Sequence, residues 1–230
     1  MSSFDQKLAA MIDHTLLKPE ATPAEIKKLC EEAKQYGFAT VCINSCYVSL
    51  AAKLLKGSKV KPIAVIGFPL GAMSTAAKVF ETKQAIKDGA REIDMVINIG
   101  WLKAGETKKT LEDIRSIVKA CRKKPLKVIL ETAKLNEAEK IQACKLSKKA
   151  GAAFVKTCTG FGGGGATVED IRLMRATVGP KMGVKASGGI RSRADALQLI
   201  EAGATRLGTS GGVQIVSETH VTELNTHSVY

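Results

Sequence analysis

The feature that most constrains the fold of this chain is a regular alternation of short apolar runs with longer amphipathic runs. Eight short runs have the length and composition of β-strands, and the segments between them carry apolar residues at helical spacing. No linker or change in composition interrupts this rhythm. The predicted strands are Met11–Leu17, Thr40–Asn44, Ile63–Phe68, Glu92–Asn98, Lys127–Thr132, Ala152–Gly160, Met182–Gly189 and Arg206–Ser210.

Alternating strands and helices indicate a parallel sheet, because each helix carries the chain back to the start of the next strand. Eight such units of roughly 29 residues fit the compact end of the size range of (β/α)₈ barrels. We therefore expect an α/β fold, a single-domain (β/α)₈ TIM barrel over residues 1–230, with a C-terminal helix and flexible tail from about residue 212. A doubly wound open sheet is the alternative, although such sheets more often have fewer strands.

Local signals mark where the helices begin and end. The segment Thr22-Pro23-Ala24-Glu25 combines a capping residue, a proline at the first helical position and a capping-box glutamate. Four glycines are placed to stop helices just before the next strand, namely Gly37, Gly89, Gly151 and Gly203. These signals divide the chain at the same points as the apolar rhythm.

The net charge of +13 raises the question of nucleic-acid binding, since strongly basic chains often bind polyanions. The lysines, however, occur as pairs that alternate with apolar positions at helical spacing, which is typical of solvated helix faces. Aromatic residues make up only 4% of the chain and are not interleaved with the basic ones, so bases would lack a stacking surface. We expect no nucleic-acid partner, and a general attraction for anionic metabolites.

Cysteine and histidine usage argues against disulfides and metal. The six cysteines form no C-x-x-C pair, and His14, His220 and His227 do not cluster in sequence, so we expect reduced thiols and no metal. No apolar run approaches the roughly 20 residues of a membrane span. The first residues lack a basic stretch followed by an apolar core. We therefore expect a cytoplasmic protein without a membrane partner.

Two lysines on predicted strands carry the strongest chemical signal. Lys156 and Lys185 each lie in an apolar run that ends in a glycine turn, and one helical segment separates them. They should therefore lie on neighbouring parallel strands. Loss of hydration and a second ammonium nearby both lower the pKa of an amine, so a neutral, nucleophilic lysine becomes accessible near pH 7. This is the chemistry of an enzyme that forms a Schiff base.

A carboxylate accompanies the two lysines. Asp94 lies inside the apolar run Ile93–Ile97, where a buried carboxylate is costly unless it is paired. A buried ion pair that only fixes the barrel interior is the alternative. One carboxylate with two lysines on nearby strands is better explained as acid/base machinery. Further polar residues lie on or end otherwise apolar strands, namely Asp13, Thr15, Asn44, Asn98, Glu131, Thr159, Ser187 and Ser210.

The last strands are followed by glycine-rich segments. Ser187-Gly188-Gly189 follows the seventh strand, and Gly208-Thr209-Ser210-Gly211-Gly212 follows the eighth. In TIM barrels the active site lies at the C-terminal ends of the strands, and loops at these positions often bind phosphate through backbone amides. Tight turns alone are the alternative explanation for the glycines. Their placement favours a phosphorylated ligand.

Several segments in order resemble one known family, that of deoxyribose-phosphate aldolase. The segments that carry the resemblance are Asp13–Pro19, Val65–Gly71, Glu92–Asn98, Phe154–Thr157, Gly183–Arg191 and Arg206–Ser210. The resemblance implies a cofactor-free class I aldolase with a TIM-barrel fold. It also implies reversible cleavage of 2-deoxy-D-ribose 5-phosphate to glyceraldehyde 3-phosphate and acetaldehyde, so the partners would be a phosphorylated aldehyde and acetaldehyde, with a homodimer as assembly.

The resemblance also implies roles for individual residues. Lys156 is similar to the Schiff-base lysine, Lys185 to the second lysine that favours its neutral form and relays protons, and Asp94 to the acid/base carboxylate. The phosphate-binding positions would be Gly188, Gly189, Arg191, Gly208 and Ser210. The substrate pocket would include Thr15, Cys42, Asn44, Thr159 and Gly160, with simple packing as the favoured alternative for Cys42 and for Cys158. Tyr230 would be the C-terminal tyrosine that helps to protonate the enamine, with a functionless end as the alternative.

Two positions depart from the commoner family pattern. Ser45 stands where proline is frequent after asparagine, and Cys158 stands where a small serine or alanine is usual. Neither belongs to the set of lysines and aspartate, so the expected reaction class does not change. The alternative functions are another phosphate-binding Schiff-base aldolase of TIM-barrel fold, which would need other strand-end partners, and a basic nucleic-acid-binding protein.

Overall fold

Eight parallel strands close into a barrel in chain order. The computed structural model describes residues 4–217, and in this range each strand pairs with the next and β8 pairs with β1. The predicted TIM barrel is therefore confirmed, and the open-sheet alternative is wrong. The strands are β1 Ile12–Leu16, β2 Thr40–Ile43, β3 Lys61–Ile66, β4 Glu92–Val96, β5 Leu126–Ile129, β6 Phe154–Lys156, β7 Gly183–Ser187 and β8 Arg206–Thr209.

Helices follow the strands and surround the barrel. In residues 4–217 they are α1 Gln6–Ala9, α2 Pro23–Tyr36, α3 Val48–Leu54, α4 Thr75–Lys87, α5 Ile99–Lys103, α6 Thr107–Cys121, α7 Glu137–Ala150, α8 Val168–Val178, α9 Arg193–Glu201 and α10 Gly212–Ser217. Two 3₁₀ turns, Ser45–Tyr47 and Thr132–Lys134, lie in the loops after β2 and β5. None of these helices combines the length and the hydropathy that crossing a membrane requires.

The helix signals in the sequence correspond to real caps. The Thr22 hydroxyl accepts a hydrogen bond from the backbone N–H of Glu25, and the Glu25 carboxylate accepts one from the backbone N–H of Thr22. This reciprocal pair satisfies two N–H groups that the first turn of α2 would otherwise leave without partners. At the other end of α2, Gly37 adopts the left-handed conformation (φ 68°), which glycine reaches without steric cost.

The predicted strands all overlap observed ones, and the ends differ most at β6. The predicted run Ala152–Gly160 contains only a three-residue strand, Phe154–Lys156. Beyond Lys156, the Thr157 hydroxyl bonds the backbone of Ser187, with N–O and O–O distances of 3.0 and 2.9 Å. These side-chain bonds add to the backbone bond from the Thr157 N–H to the Lys185 carbonyl oxygen at 3.1 Å, and together they fix the chain directly after Lys156.

The apolar core is divided by the barrel wall. The larger cluster lies between the strands and the surrounding helices, where buried aliphatic side chains of both layers meet. The inner apolar cluster is small and consists of Leu17, Cys42, Ile63 and Val65, with Phe68 packed against it. The strands β1 and β4 to β8 instead direct charged side chains into the barrel. A buried charge costs several kcal/mol unless it is paired, so these strands must bring opposite charges together.

Candidate active site

Charged side chains from six strands meet inside the barrel. Side chains alternate across a strand, so residues two apart share a face, and the register sets Lys156 beside Lys185 and Asp94 beside Lys127. Neighbouring strands therefore bring distant parts of the sequence into contact. We call the following residues the interior charge network: Asp13, Glu92, Asp94, Lys127, Lys156, Lys185 and Arg206.

Asp94 is the centre of this network. Its Oδ2 lies 3.0 Å from Nζ of Lys156 and 2.8 Å from Nζ of Lys185, so one carboxylate oxygen accepts hydrogen bonds from both lysines. Its Oδ1 lies 3.0 Å from Nζ of Lys127. Asp94 is fully buried. The structure thus brings the three predicted catalytic residues, Lys156, Lys185 and Asp94, into direct contact.

A second layer of ion pairs lies behind Asp94. Lys185 also contacts Oδ2 of Asp13 at 2.6 Å, and Lys127 also contacts Oε2 of Glu92 at 2.5 Å. Arg206 lies 2.7 Å from Oδ1 of Asp13 and 3.4 Å from Oε2 of Glu92. The carboxylates thus link the cations into one continuous set of contacts.

The balance of charges singles out Lys156. With all groups ionised, the network holds four cations but three carboxylates. Lys127, Lys185 and Arg206 each contact two of these carboxylates. Lys156 contacts only Asp94, through an oxygen that it shares with Lys185. Lys156 is therefore the cation that the network stabilises least by direct contact, and loss of its proton would balance the charges.

The pKa shifts of Asp94 and Lys185, the two neighbours of Lys156, follow from the same contacts. Burial alone would raise the pKa of the Asp94 carboxyl, but Lys127, Lys185 and Lys156 outweigh it and hold that pKa well below its usual range. Burial alone would lower the pKa of Lys185, yet Asp13 and Asp94 outweigh it and the pKa is raised. The expectation that burial lowers the pKa of both strand lysines is therefore wrong for Lys185, because two carboxylates keep it cationic.

Lys185 stays cationic at a short distance from Lys156. The nitrogens of Lys156 and Lys185 contact the same oxygen, so they lie within about 6 Å of each other, a range at which like charges disfavour one another. Lys185 has two carboxylate partners, Asp13 and Asp94, and keeps its proton.

A cavity of about 290 Å³ opens above the network at the C-terminal ends of the strands. Lys156 is the network member that lines it, whereas Asp94 and Lys185 lie below. A larger groove of about 830 Å³ lies between α4 and α6, lined by basic and aliphatic side chains and without a network residue. The chemistry therefore points to the smaller cavity, because it alone of the two gives a ligand access to Lys156.

The predicted phosphate-side residues all line this cavity. They are Gly188, Gly189, Arg191, Gly208 and Ser210. Two of these positions require glycine. Gly188 has φ 84°, and a Cβ there would come 2.9 Å from Sγ of Cys158. At Gly208 a Cβ would come 2.9 Å from Cε of Lys185, so glycine gives this lysine its passage to Asp94.

The predicted pocket residues divide into two groups. Thr15, Thr159 and Gly160 line the cavity. Cys42 instead packs in the inner apolar cluster, and burial raises its thiol pKa. The Asn44 amide donates a hydrogen bond to the backbone carbonyl of Leu17 at 3.2 Å, and Asn44 is likewise absent from the cavity wall.

Two further predictions concern Cys158 and the C-terminus. Cys158 is buried and its thiol lies 2.6 Å from the carbonyl oxygen of Ser187, so it packs between β6 and β7. Tyr230 lies outside the described residues, as does the tail from residue 218, while Gly212–Ser217 forms α10.

Four network members were given no role in the predicted site: Asp13, which was noted only as a polar residue on a strand, and Glu92, Lys127 and Arg206, which were not noted. Lys127 and Arg206 stand at or next to the first residue of their strands, and Glu92 opens β4. Charged residues at strand starts are usually exposed, so the sequence gives no reason to place them inside. The available signal is the period of two, which puts Glu92 on the same face of β4 as Asp94.

The fold and the site define a class: a TIM barrel with a lysine at the C-terminal mouth of the barrel, held against a buried carboxylate. The sequence model of the DeoC/LacD family of aldolases matches residues 7–216. The chain belongs to this family.

Individual relatives agree with this membership. The deoxyribose-phosphate aldolase of Carboxydothermus hydrogenoformans is 61% identical over 214 residues, which cover 91% of this chain and 94% of that protein. The deoxyribose-phosphate aldolase of Clostridium perfringens strain 13 is 62% identical over 211 residues, which cover 91% and 94%.

Solved structures resemble the fold closely. A structure from Coccidioides immitis has a TM-score of 0.91 and 48% identity, covering 93% of this chain and 85% of that chain. The tetrameric deoxyribose phosphate aldolase of Aeropyrum pernix has a TM-score of 0.86 and 34% identity, covering 91% and 89%.

Proposed function

We propose that this chain is a class I aldolase that cleaves 2-deoxy-D-ribose 5-phosphate reversibly to D-glyceraldehyde 3-phosphate and acetaldehyde, with Lys156 as the Schiff-base nucleophile. Relatives of about 60% identity over most of the chain are deoxyribose-phosphate aldolases. The observation that carries the assignment of Lys156 is its position: it is the network cation that reaches the cavity, and it has the fewest carboxylate contacts.

The first steps build an electron sink on Lys156. The neutral amine attacks the C1 aldehyde carbon of the open-chain sugar phosphate and forms a carbinolamine, which loses water to give an iminium. Lys185 is kept cationic by Asp13 and Asp94, so it disfavours a second positive charge on the free amine. The iminium then withdraws electrons from the neighbouring C2–C3 bond.

Bond cleavage requires removal of the C3 hydroxyl proton. As the C2–C3 bond breaks, its electron pair moves into the enamine on Lys156, and C3 becomes the aldehyde carbon of glyceraldehyde 3-phosphate. Oδ2 of Asp94 is bonded to both lysine nitrogens, so Asp94 and Lys185, with a water between them and the substrate, can relay this proton. Protonation of the enamine at C2 and hydrolysis release acetaldehyde and free Lys156.

The other end of the substrate fits the glycine-lined side of the cavity. Gly188, Gly189 and Ser210 bring backbone amides or a hydroxyl to the wall, and Arg191 adds a positive charge. These groups are suited to a phosphate dianion. The lysine supplies the electron sink, so we propose a reaction without metal or organic cofactor. The homodimer and the cytoplasmic location remain predictions.

The test compares substrates on the purified enzyme. Release of glyceraldehyde 3-phosphate from 2-deoxyribose 5-phosphate should be fast, should fall strongly with unphosphorylated deoxyribose, and should vanish in Lys156→Met. The matched control is Lys149→Met, which removes an exposed lysine of α7 and should keep full activity. Cleavage of fructose 1,6-bisphosphate without cleavage of 2-deoxyribose 5-phosphate would instead support the alternative of another Schiff-base aldolase.

A further inference from the structure

Glu131 is a buried carboxylate that the mechanism above does not use. It follows β5, is 3% exposed, and has φ 59° and ψ 62°, the left-handed region that residues with a side chain rarely adopt. In the described residues, Arg122 is the other non-glycine residue with positive φ. Strained backbone of this kind persists where the surroundings hold it and is often found at functional sites.

The Glu131 carboxylate accepts hydrogen bonds from Thr159, which lies at the edge of the cavity. The Thr159 hydroxyl donates a short hydrogen bond to Oε2 of Glu131, and the Thr159 backbone N–H lies 3.4 and 3.3 Å from the two carboxylate oxygens. Within residues 4–217, no lysine, arginine or histidine forms an ion pair with Glu131. Its polar contacts are therefore directed at Thr159 rather than at a counter-charge.

The loop after β6, residues 157–166, is built on this contact. The Thr159 hydroxyl accepts a hydrogen bond from the backbone N–H of Phe161 at 3.0 Å. Gly162 lies so close that a Cβ there would come 2.5 Å from Cδ of Glu131. Thr159, Gly160 and Phe161 form part of the cavity wall, so Glu131 supports that wall from behind.

The same loop reaches the phosphate side of the cavity. The backbone N–H of Ala166 donates to the carbonyl oxygen of Gly188 at 3.0 Å, and a Cβ at Gly165 would come 2.8 Å from that oxygen. Near the middle of the loop, the rings of Phe161 and Phe68 meet edge to face with centroids 5.4 Å apart. A displacement of the loop would therefore also displace the backbone of Gly188.

We propose that Glu131 is a positioning residue for the aldolase: its carboxylate, through Thr159, holds the loop after β6 against the Gly188 turn so that a phosphorylated substrate is oriented over Lys156. This proposal rests on the proposed function. Lys156 itself is held by β6 and by Asp94 and not by the loop. Loss of Glu131 should therefore weaken recognition of the phosphorylated substrate while leaving imine formation with acetaldehyde largely intact.

The test uses substitutions matched to the backbone. Glu131→Gly deletes the carboxylate but suits the left-handed conformation, so relief of the backbone strain offsets part of the stability that is lost with the hydrogen bonds to Thr159. Glu131→Gln keeps an oxygen that can accept from Thr159. Arg122→Gly relieves the other positive φ at the C-terminal end of α6, away from the cavity, and controls for relief of strain alone.

We expect KM for 2-deoxyribose 5-phosphate to rise about tenfold or more in Glu131→Gly, the scale of one well-formed hydrogen bond to a charged group. The kcat should change by much less. Glu131→Gln should restore KM to within about threefold of the parent, the range expected when most of the hydrogen bonding is kept. Arg122→Gly should leave KM unchanged. The rate of acetaldehyde trapping at Lys156 should be similar in all four proteins.

The proposal is overturned if Glu131→Gly keeps the parent KM, if Glu131→Gln is impaired as much as Glu131→Gly, or if acetaldehyde trapping falls together with substrate binding. Failure of the parent to trap acetaldehyde at Lys156 is a separate result that would overturn the proposed function itself. Urea unfolding of each variant identifies any KM change that comes from partial unfolding.

Discussion

Replacing Lys127 with methionine tests whether the charge balance of the barrel controls the reactive lysine. Lys127 is fully buried and contacts Glu92 and Asp94. Without Lys127, the network has three carboxylates and three cations, so the positive charge of Lys156 is then needed to balance the three carboxylates. We expect Lys156 to react more slowly with acetaldehyde at neutral pH in Lys127→Met.

The size of the effect follows from the geometry. Lys127 and Lys156 contact opposite oxygens of Asp94 at 3.0 Å each. Their nitrogens are therefore at most ~8 Å apart, and two unit charges at that distance repel by about 2 kcal/mol at an effective dielectric constant of about 20. This energy corresponds to a factor of about 30 in rate. The trapping of acetaldehyde at neutral pH should slow by up to that factor.

The assay is reductive trapping of acetaldehyde on Lys156, followed from acidic to alkaline pH, because acetaldehyde carries no titrating group of its own. The matched control is Lys78→Met. Lys78 is also fully buried and lies 2.8 Å from Asp113, but this pair joins α4 to α6 outside the barrel. Both variants should lose stability on the order of 3–5 kcal/mol, as expected when one partner of a buried pair is removed. A trapping rate at neutral pH that is unchanged in folded Lys127→Met, or that falls equally in Lys78→Met, would refute the reasoning.

Three further predictions concern phosphate, packing and pH. Ser210→Asp puts a carboxylate on the cavity wall, so the affinity for 2-deoxyribose 5-phosphate should fall much more than acetaldehyde trapping, and an equal fall in both would contradict a phosphate role. Gly71→Ala should lower the free energy of unfolding, measured in urea, by at least about 3 kcal/mol, since the new Cβ would lie 2.1 Å from the Ile97 carbonyl oxygen. Gly57→Ala, which is also at positive φ but in open space, should lower it by about 1 kcal/mol. Burial lowers the pKa of His14 more than Glu32 raises it, so below about pH 6.5 the unfolded chain takes up a proton that the native state resists. The free energy of unfolding should therefore fall by up to about 1 kcal/mol per pH unit below that pH, and this fall should be smaller in His14→Gln.

The barrel was predictable because its signals are local. The capping box at Thr22 and the glycine at Gly37 each act within a few residues, and the apolar runs between such signals have the length of strands. Once the fold class is known, the position of Lys156 and Lys185 on adjacent strands fixes them as neighbours. Asp94 was predictable for a related reason, since a carboxylate inside an apolar run needs a partner.

The rest of the network depends on register, which is not local. Arg206 lies inside the barrel because β8 is set against β1 and β7 so that this residue faces Asp13 and Glu92. Nothing within its own segment distinguishes it from an exposed arginine at the start of a strand. The side-chain direction of Asn44 is likewise not local information: Asn44 ends a strand at the same edge of the barrel as the cavity, and its amide donates a hydrogen bond to the backbone carbonyl of Leu17.

The most direct test of the account is to identify the lysine that forms the imine. The purified enzyme is incubated with acetaldehyde, reduced with borohydride and digested, and the peptides are mapped by mass spectrometry. We predict a reduced two-carbon adduct on Lys156, with Lys127 and Lys185 unmodified, because those two lysines each contact two carboxylates and stay protonated. An adduct on Lys185 or on another lysine, with Lys156 intact, would contradict the account.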